Sequence, residues 1–177
     1  MRLTAPAKIN LYLAVGARRP DGLHAIESVM QSITLYDSLS IEAADELSLN
    51  VSPSGAAPED ETNLVVRALR ALVAAAGRTG GATLRLEKQI PSGAGLGGGS
   101  SDAAATLVGL NELWSCGISR KALEKIGAGL GADVPFCVRG GTAVARGAGE
   151  ALAPLAVRRP LWWVIAMPAE SLSTPDV

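Results

Sequence analysis

No apolar run in this chain is long enough to cross a bilayer; the most apolar stretch, residues 161–166, falls far short of the roughly 20 residues a spanning helix needs. Aromatic side chains are scarce. One phenylalanine, two tyrosines and three tryptophans leave the core to be built from Leu, Val, Ile and Ala. Histidine occurs once, as His24, and cysteine twice, as Cys116 and Cys137. That inventory is too small for an ordinary structural zinc site, and the two thiols are expected to be reduced and buried, as in a cytoplasmic protein. Neither sign of charge is in excess, with sixteen Lys and Arg against seventeen Asp and Glu, so no broad field draws the chain to nucleic acid or to an acidic membrane. Arg2 followed by the short apolar segment 9–16 imitates a signal peptide, but Lys8 and Asn10 interrupt it, and none is expected. Repeats and low-complexity tracts are absent. The 177 residues suit one domain with the start of a second.

Glycine, by contrast, is plentiful and concentrated. Residues 91–104 read P-S-G-A-G-L-G-G-G-S-S-D-A-A, with glycine at Gly93, Gly95, Gly97, Gly98 and Gly99. Each costs backbone entropy on folding, and an ordinary turn needs only one or two. Ser100, Ser101 and Asp102 are N-cap residue types, and an apolar-periodic segment follows them. The pattern predicts a glycine loop feeding a helix N-terminus, where free N–H groups and the helix dipole favour an anion, most simply a phosphate.

Around this loop the pattern predicts an α+β fold with antiparallel strands early and helices later. Strands are expected at residues 2–5 and 9–15, then at 29–35 and 38–42 joined by a turn at Tyr36-Asp37, and at 47–51. In the second strand Ile9, Leu11, Leu13 and Val15 share one face, with Asn10 and Tyr12 on the other. Residues 63–76 form the clearest helix, capped by Thr62 or Asn63 and ended by Gly77. A strand at 83–90, alternating apolar with Thr83, Arg85, Glu87 and Gln89, leads into the loop. Helices follow at about 101–115 and after a Ser119 cap. Residues 131–135 read as a tight loop, 136–139 and 142–146 as a hairpin, and 161–166 as a last strand.

Two general phosphate motifs fail on their own requirements. A Walker loop needs Gly-Lys-Ser/Thr, and here Ser100 follows Gly99 with no lysine in the motif. Residues 93–98 satisfy G-x-G-x-x-G, but a Rossmann first strand is apolar on both faces, and the strand before this loop alternates with charge.

Residues 91–104 resemble the central phosphate loop of the GHMP small-molecule kinases. P-A-K-I-N-L-Y-L at 6–13, R-P-D-G-L-H at 19–24, N-L-V-V-R-A at 63–68 and G-A-D-V-P-F at 131–136 lie in family order and resemble the branch that phosphorylates the 2-hydroxyl of 4-diphosphocytidyl-2-C-methyl-D-erythritol in non-mevalonate isoprenoid synthesis. The resemblance implies a GHMP kinase N-terminal domain, similar to the second domain of ribosomal protein S5, over residues 1–155, with the start of a C-terminal α+β domain at 156–177. It implies ATP, carried as its Mg²⁺ complex, held by Pro91, Ser92, Gly93, Ala94, Gly95, Leu96, Gly97, Gly98, Gly99, Ser100 and Ser101. Asp102 belongs to the same cap, and a bridging Mg²⁺ would ease its repulsion from phosphate.

The family's N-terminal lysine falls on Lys8, expected to stabilise charge on the transferred phosphoryl group. The catalytic base falls on Asp133, which Lys8 would help keep ionised. Asn10, His24, Asp133 and Thr174 fall on substrate-binding positions. Leu23 replaces the aromatic usual before the histidine, which removes its stacking geometry, and an aromatic that completes the pocket in relatives would lie beyond Val177. Taken alone, Lys8 reads as a snorkelling lysine, Asp133 as turn chemistry and His24 as a structural histidine. The rival readings are a GHMP kinase for another alcohol, such as homoserine or mevalonate, and an S5-like module contacting RNA through Arg18-Arg19 and Arg158-Arg159. No nucleic-acid or membrane partner is expected, and the oligomeric state stays open.

Overall fold

The structure is a computed structural model that describes residues 1–19, 22 and 24–166. The element order is β1 (Arg2–Arg18), β2 (His24–Ala44), β3 (Ser48–Ser52), α1 (Leu64–Ala76), β4 (Gly81–Glu87), α2 (Gly98–Leu113), α3 (Arg120–Ala128), α4 (Val134–Arg139), β5 (Thr142–Gly147) and β6 (Ala151–Pro154). The strands form one mixed sheet in the order β3-β4-β2-β5-β6, with β1 on β2. Among the described residues only the β3–β4 pair is parallel. This is the expected α+β architecture. The core lies between the sheet and the helices, where Leu39, Ile41, Leu84 and Leu86 from the strands meet Val65, Leu69 and Leu72 of α1 and Leu107 and Leu110 of α2.

The helix at 64–76 matches its expected boundaries and ends. Asn63 Oδ1 accepts a hydrogen bond from Val65 N, and Gly77 closes the helix in the left-handed region at φ 59°. Ser119 likewise caps α3 through Ala122 N.

Several expectations are corrected. The two strands at 29–35 and 38–42 are one 21-residue strand, β2. No glycine or proline breaks it at Tyr36-Asp37, and Asp37 is fully buried with its carboxylate bonded to Lys88 and to Gln89 N and Ile90 N. β1 is likewise continuous; Pro6 sits beside a register slip, where a strand tolerates proline. A second slip between Asn10 and Tyr12 moves Leu13, opposite Ser28, onto the face of Lys8 and Asn10, which lie opposite Ser32 and Met30. The alternation in sequence placed Leu13 with Ile9; one extra residue inverts it.

Residues 136–139, expected as a strand, belong instead to a short helix, α4, that begins at Val134 within the expected loop. Pro135 opens its first turn, a position where a missing N–H costs nothing. Residues 161–166 pair with no strand among the described residues. The apolar side chains of Leu161, Trp162, Trp163, Val164 and Ile165 stay exposed there, apart from a bond from Trp163 Nε1 to Gln31 Oε1 at 3.2 Å. No helix of the described residues is long and apolar enough to cross a membrane.

Candidate active site

The glycine loop joins β4 to α2 by an arch in which Gly93, Gly95 and Gly97 all take left-handed φ, 72°, 70° and 69°. Side chains rarely adopt that region, so glycine is required at these alternate positions. Helix α2 begins at Gly98, earlier than expected, with Gly97 as its cap and no side-chain cap bond. The serines therefore do not cap it. The first intrahelical bond runs from Ser101 N to Gly97 O at 2.9 Å. The N–H groups of Gly98, Gly99 and Ser100 precede that bond and emerge from the helix end, as an anion site needs. The arch encloses an open hollow of about 190 Å³ lined by Lys88 and by residues 90–99.

The arch is fastened to β1. Lys8 N donates to Leu96 O at 2.9 Å, and Ser101 Oγ donates to Pro6 O at 2.7 Å. Ser101 is thus buried and commits its hydroxyl proton to β1. Gly97 also lies against the lysine: a Cβ there would come within 2.8 Å of Lys8 Cγ. The glycine at this position answers both the backbone angle and the close approach.

Lys8 is nearly buried, and its Nζ lies 3.3 Å from Asp133 Oδ2. Asp133 stands at the N-cap position of α4, and its side chain keeps 34% exposure. Lys8 Nζ also donates to Asn10 Oδ1 at 2.8 Å. The expected lysine, asparagine and aspartate therefore meet at one point beside the start of α2, although 125 positions separate Lys8 from Asp133 (133 − 8). His24 stands apart at the start of β2, exposed, with Nδ1 3.0 Å from Gly16 O. A carbonyl only accepts, so Nδ1 carries the proton, and a neutral ring then offers Nε2 as an acceptor. Leu23 and Thr174 lie outside the described residues.

One part of the site escaped the sequence. Lys88 Nζ contacts Asp37 Oδ2 at 2.5 Å and Asp102 Oδ2 at 2.7 Å, all three side chains being almost fully buried. A lysine does therefore lie beside the glycine loop in space, but its ammonium is bound by two carboxylates. Asp102 is engaged there through Oδ2, so Lys88 offsets its charge. Burial pushes the Asp102 carboxyl up to about 7, against the opposing pull of Lys88. Burial alone would lower Lys88, yet the carboxylates of Asp102 and Asp37 outweigh it and its ammonium titrates above the ordinary value. Nothing in the local sequence distinguishes Asp37, Lys88 and Asp102 from the other polar residues of their segments.

Both cysteines are free and half-buried rather than buried. Cys137 sits one turn after Asp133, and burial, with the Asp133 carboxylate adding to it, pushes its thiol up to about 12. No cluster of three or more His, Cys, Asp or Glu fit to hold a metal occurs among the described residues.

Residues 63–141 match the model of the GHMP kinases N terminal domain. The chain is 49% identical over 177 residues to the 4-diphosphocytidyl-2-C-methyl-D-erythritol kinase of Salinispora arenicola, covering 98% of this chain and 56% of that protein. The enzyme of the same name from Brevibacillus brevis is 49% identical over 175 residues, covering 98% of this chain and 60% of that protein. Among solved structures, a 4-(cytidine 5'-diphospho)-2C-methyl-D-erythritol kinase superposes with a TM-score of 0.74 at 44% identity, covering 89% of this chain and 56% of that one. The chain thus spans somewhat more than half the length of the relatives it matches.

Proposed function

The chain belongs to the GHMP kinase family, and on that premise we propose that it forms the nucleotide-binding and catalytic part of a kinase acting on 4-diphosphocytidyl-2-C-methyl-D-erythritol. The observation that carries this reading is the Lys8–Asp133 pair at 3.3 Å, set beside the free N–H groups at the start of α2 with its acid still open. ATP phosphates would rest on the N–H groups of the arch formed by residues 91–101. Asp133 would accept the proton of the substrate's 2-hydroxyl as that oxygen bonds to the γ-phosphorus and the bond from phosphorus to the β–γ bridging oxygen breaks, releasing ADP. Lys8 would offset the negative charge on the moving phosphoryl group, and the helix N-terminus would do the same from the other side.

Asn10, His24 and Thr174 are assigned to the substrate, with His24 Nε2 turned to the cytosine ring. Mg²⁺ would arrive with the nucleotide. Phosphates would supply most of its oxygens, so one or two protein donors suffice, and the Ser100 hydroxyl at the start of α2 would be one. Bound there, it would neutralise charge between the β- and γ-phosphates. Residues 1–155 would form this unit and residues 156–177 would begin a second one, a division in keeping with the exposed apolar side chains of Val157, Leu161, Trp162, Trp163, Val164 and Ile165. The setting is cytoplasmic metabolism, consistent with free cysteines.

The test is transfer of label from γ-labelled ATP to a panel containing 4-diphosphocytidyl-2-C-methyl-D-erythritol, homoserine and mevalonate. Transfer to the first alone is expected. Asp133→Asn should abolish it while leaving nucleotide binding largely intact. Undiminished transfer in that variant, or preference for another alcohol, would overturn the reading.

A further inference from the structure

We propose that Ser28 is a positioning residue for Lys8, acting through Asn10; its catalytic consequence rests on the kinase reading above, but its geometry does not. Ser28 is fully buried in β2 and lies opposite Leu13, just past the register slip in β1. Its Oγ is 2.7 Å from Tyr12 O, and Asn10 Nδ2 is 2.8 Å from the same Oγ. Asn10 Oδ1 is in turn 2.8 Å from Lys8 Nζ.

These contacts permit one direction of hydrogen bonding. A backbone carbonyl only accepts, so the single hydroxyl proton of Ser28 goes to Tyr12 O. Towards Asn10 the hydroxyl can then only accept, which requires the amide to turn its NH₂ to Ser28. That leaves the amide oxygen facing Lys8, whose ammonium only donates. The chain is anchored at a main-chain carbonyl and ends at the ammonium that faces Asp133. Without the hydroxyl, Tyr12 O loses this donor, Nδ2 loses its acceptor, and the orientation of the amide rests on Lys8 alone. A reversed amide would set two N–H groups against the ammonium.

Ser28→Ala and Ser28→Thr separate this role from simple packing, since threonine keeps the hydroxyl. The first readout is hydrogen exchange of the Asn10 side-chain amide by ¹H–¹⁵N NMR. It should be slow in the native chain, roughly tenfold or more faster in Ser28→Ala, and slow again in Ser28→Thr. An unprotected Asn10 amide in the native chain overturns the proposal without any variant. The second is turnover: Ser28→Ala should lower kcat by roughly 10–100-fold with the KM for ATP changed less than about twofold, and Ser28→Thr should recover it. If Ser28→Ala loses only thermal stability and keeps both amide protection and kcat, Ser28 is a packing residue and the proposal fails. If the native chain transfers no phosphate to the alcohol, the kinase reading fails, while the exchange experiment still decides the hydrogen-bond chain.

Discussion

Two lysines flank the glycine loop, each held against aspartate, and their surroundings differ in one respect. Lys88 is enclosed, with 6% of its side chain exposed and Asp37 and Asp102 at 0% and 4%. Lys8 is almost as deep at 10%, but its partner Asp133 keeps a third of its surface open. A cation whose carboxylates are all interior is used up in holding the fold together. A cation whose carboxylate opens to solvent leaves that oxygen free for a ligand. The enclosed cluster ties the end of β4 to β2 and to the first turns of α2, and so fixes the arch; the open pair lies against it at Gly97, where Lys8 makes its close approach.

The comparison is broken most directly at Lys88. Replacing it by methionine leaves Asp37 and Asp102 buried without a cation, and the loss should be about 3–5 kcal/mol, as for other broken buried pairs. Lys8→Met should cost far less stability while removing activity. Urea unfolding midpoints of the two variants give the measurement, and equal losses would mean that the open pair is as structural as the closed one. Gly97→Ala comes next. It forces a left-handed φ of 69° on a residue with a Cβ and pushes on Lys8 Cγ; about 1–2 kcal/mol of stability should go for the backbone alone, with weaker nucleotide binding by titration calorimetry.

The closed cluster should also show in the pH dependence of stability. The Asp102 carboxyl titrates at about 7 in the folded chain against an ordinary value of 3.8. Between these values the native state holds a proton that the unfolded chain has released. This contribution is therefore complete below the ordinary value, declines as pH rises, and is lost above about 7. Asp102→Asn should flatten that decline in melts taken between pH 4 and 8. A slope unchanged by the substitution would place the proton elsewhere. The smallest effect belongs to an exposed ion pair: Arg85 and Glu42, 3.0 Å apart on the sheet, should contribute about 0–1 kcal/mol. Arg85→Ala read by the same urea midpoints sets the baseline for the other two pairs.

What the sequence disclosed follows from how local each signal is. The glycine arch, the Asn63 and Ser119 caps and the Gly77 stop are written within a few neighbouring residues and were legible. Lys8, Asn10 and Asp133 were legible through motifs, since spacing alone reads each of them as commonplace. The Lys88 cluster was not, because its three members come from different elements and nothing local marks their meeting. The inversion of Leu13 depends on a one-residue slip that alternation does not reveal. Short apolar segments misled in both directions: 136–139 has the composition of a strand and lies in a helix, while 161–166 looks like a strand and pairs with nothing described. Ser28 carried no signal in the sequence, because its importance lies wholly in which atom its one proton reaches.

The two bonds between the arch and β1, from Lys8 N to Leu96 O and from Ser101 Oγ to Pro6 O, have a mechanical meaning. They fall at the lysine itself and two residues before it, so arch and strand are riveted on both sides of Ala7 and move as one lever. A load applied at the glycines reaches the backbone of Lys8 instead of being absorbed by slack in the loop. On the kinase reading, a nucleotide settling into the arch would bear directly on the strand that carries Lys8.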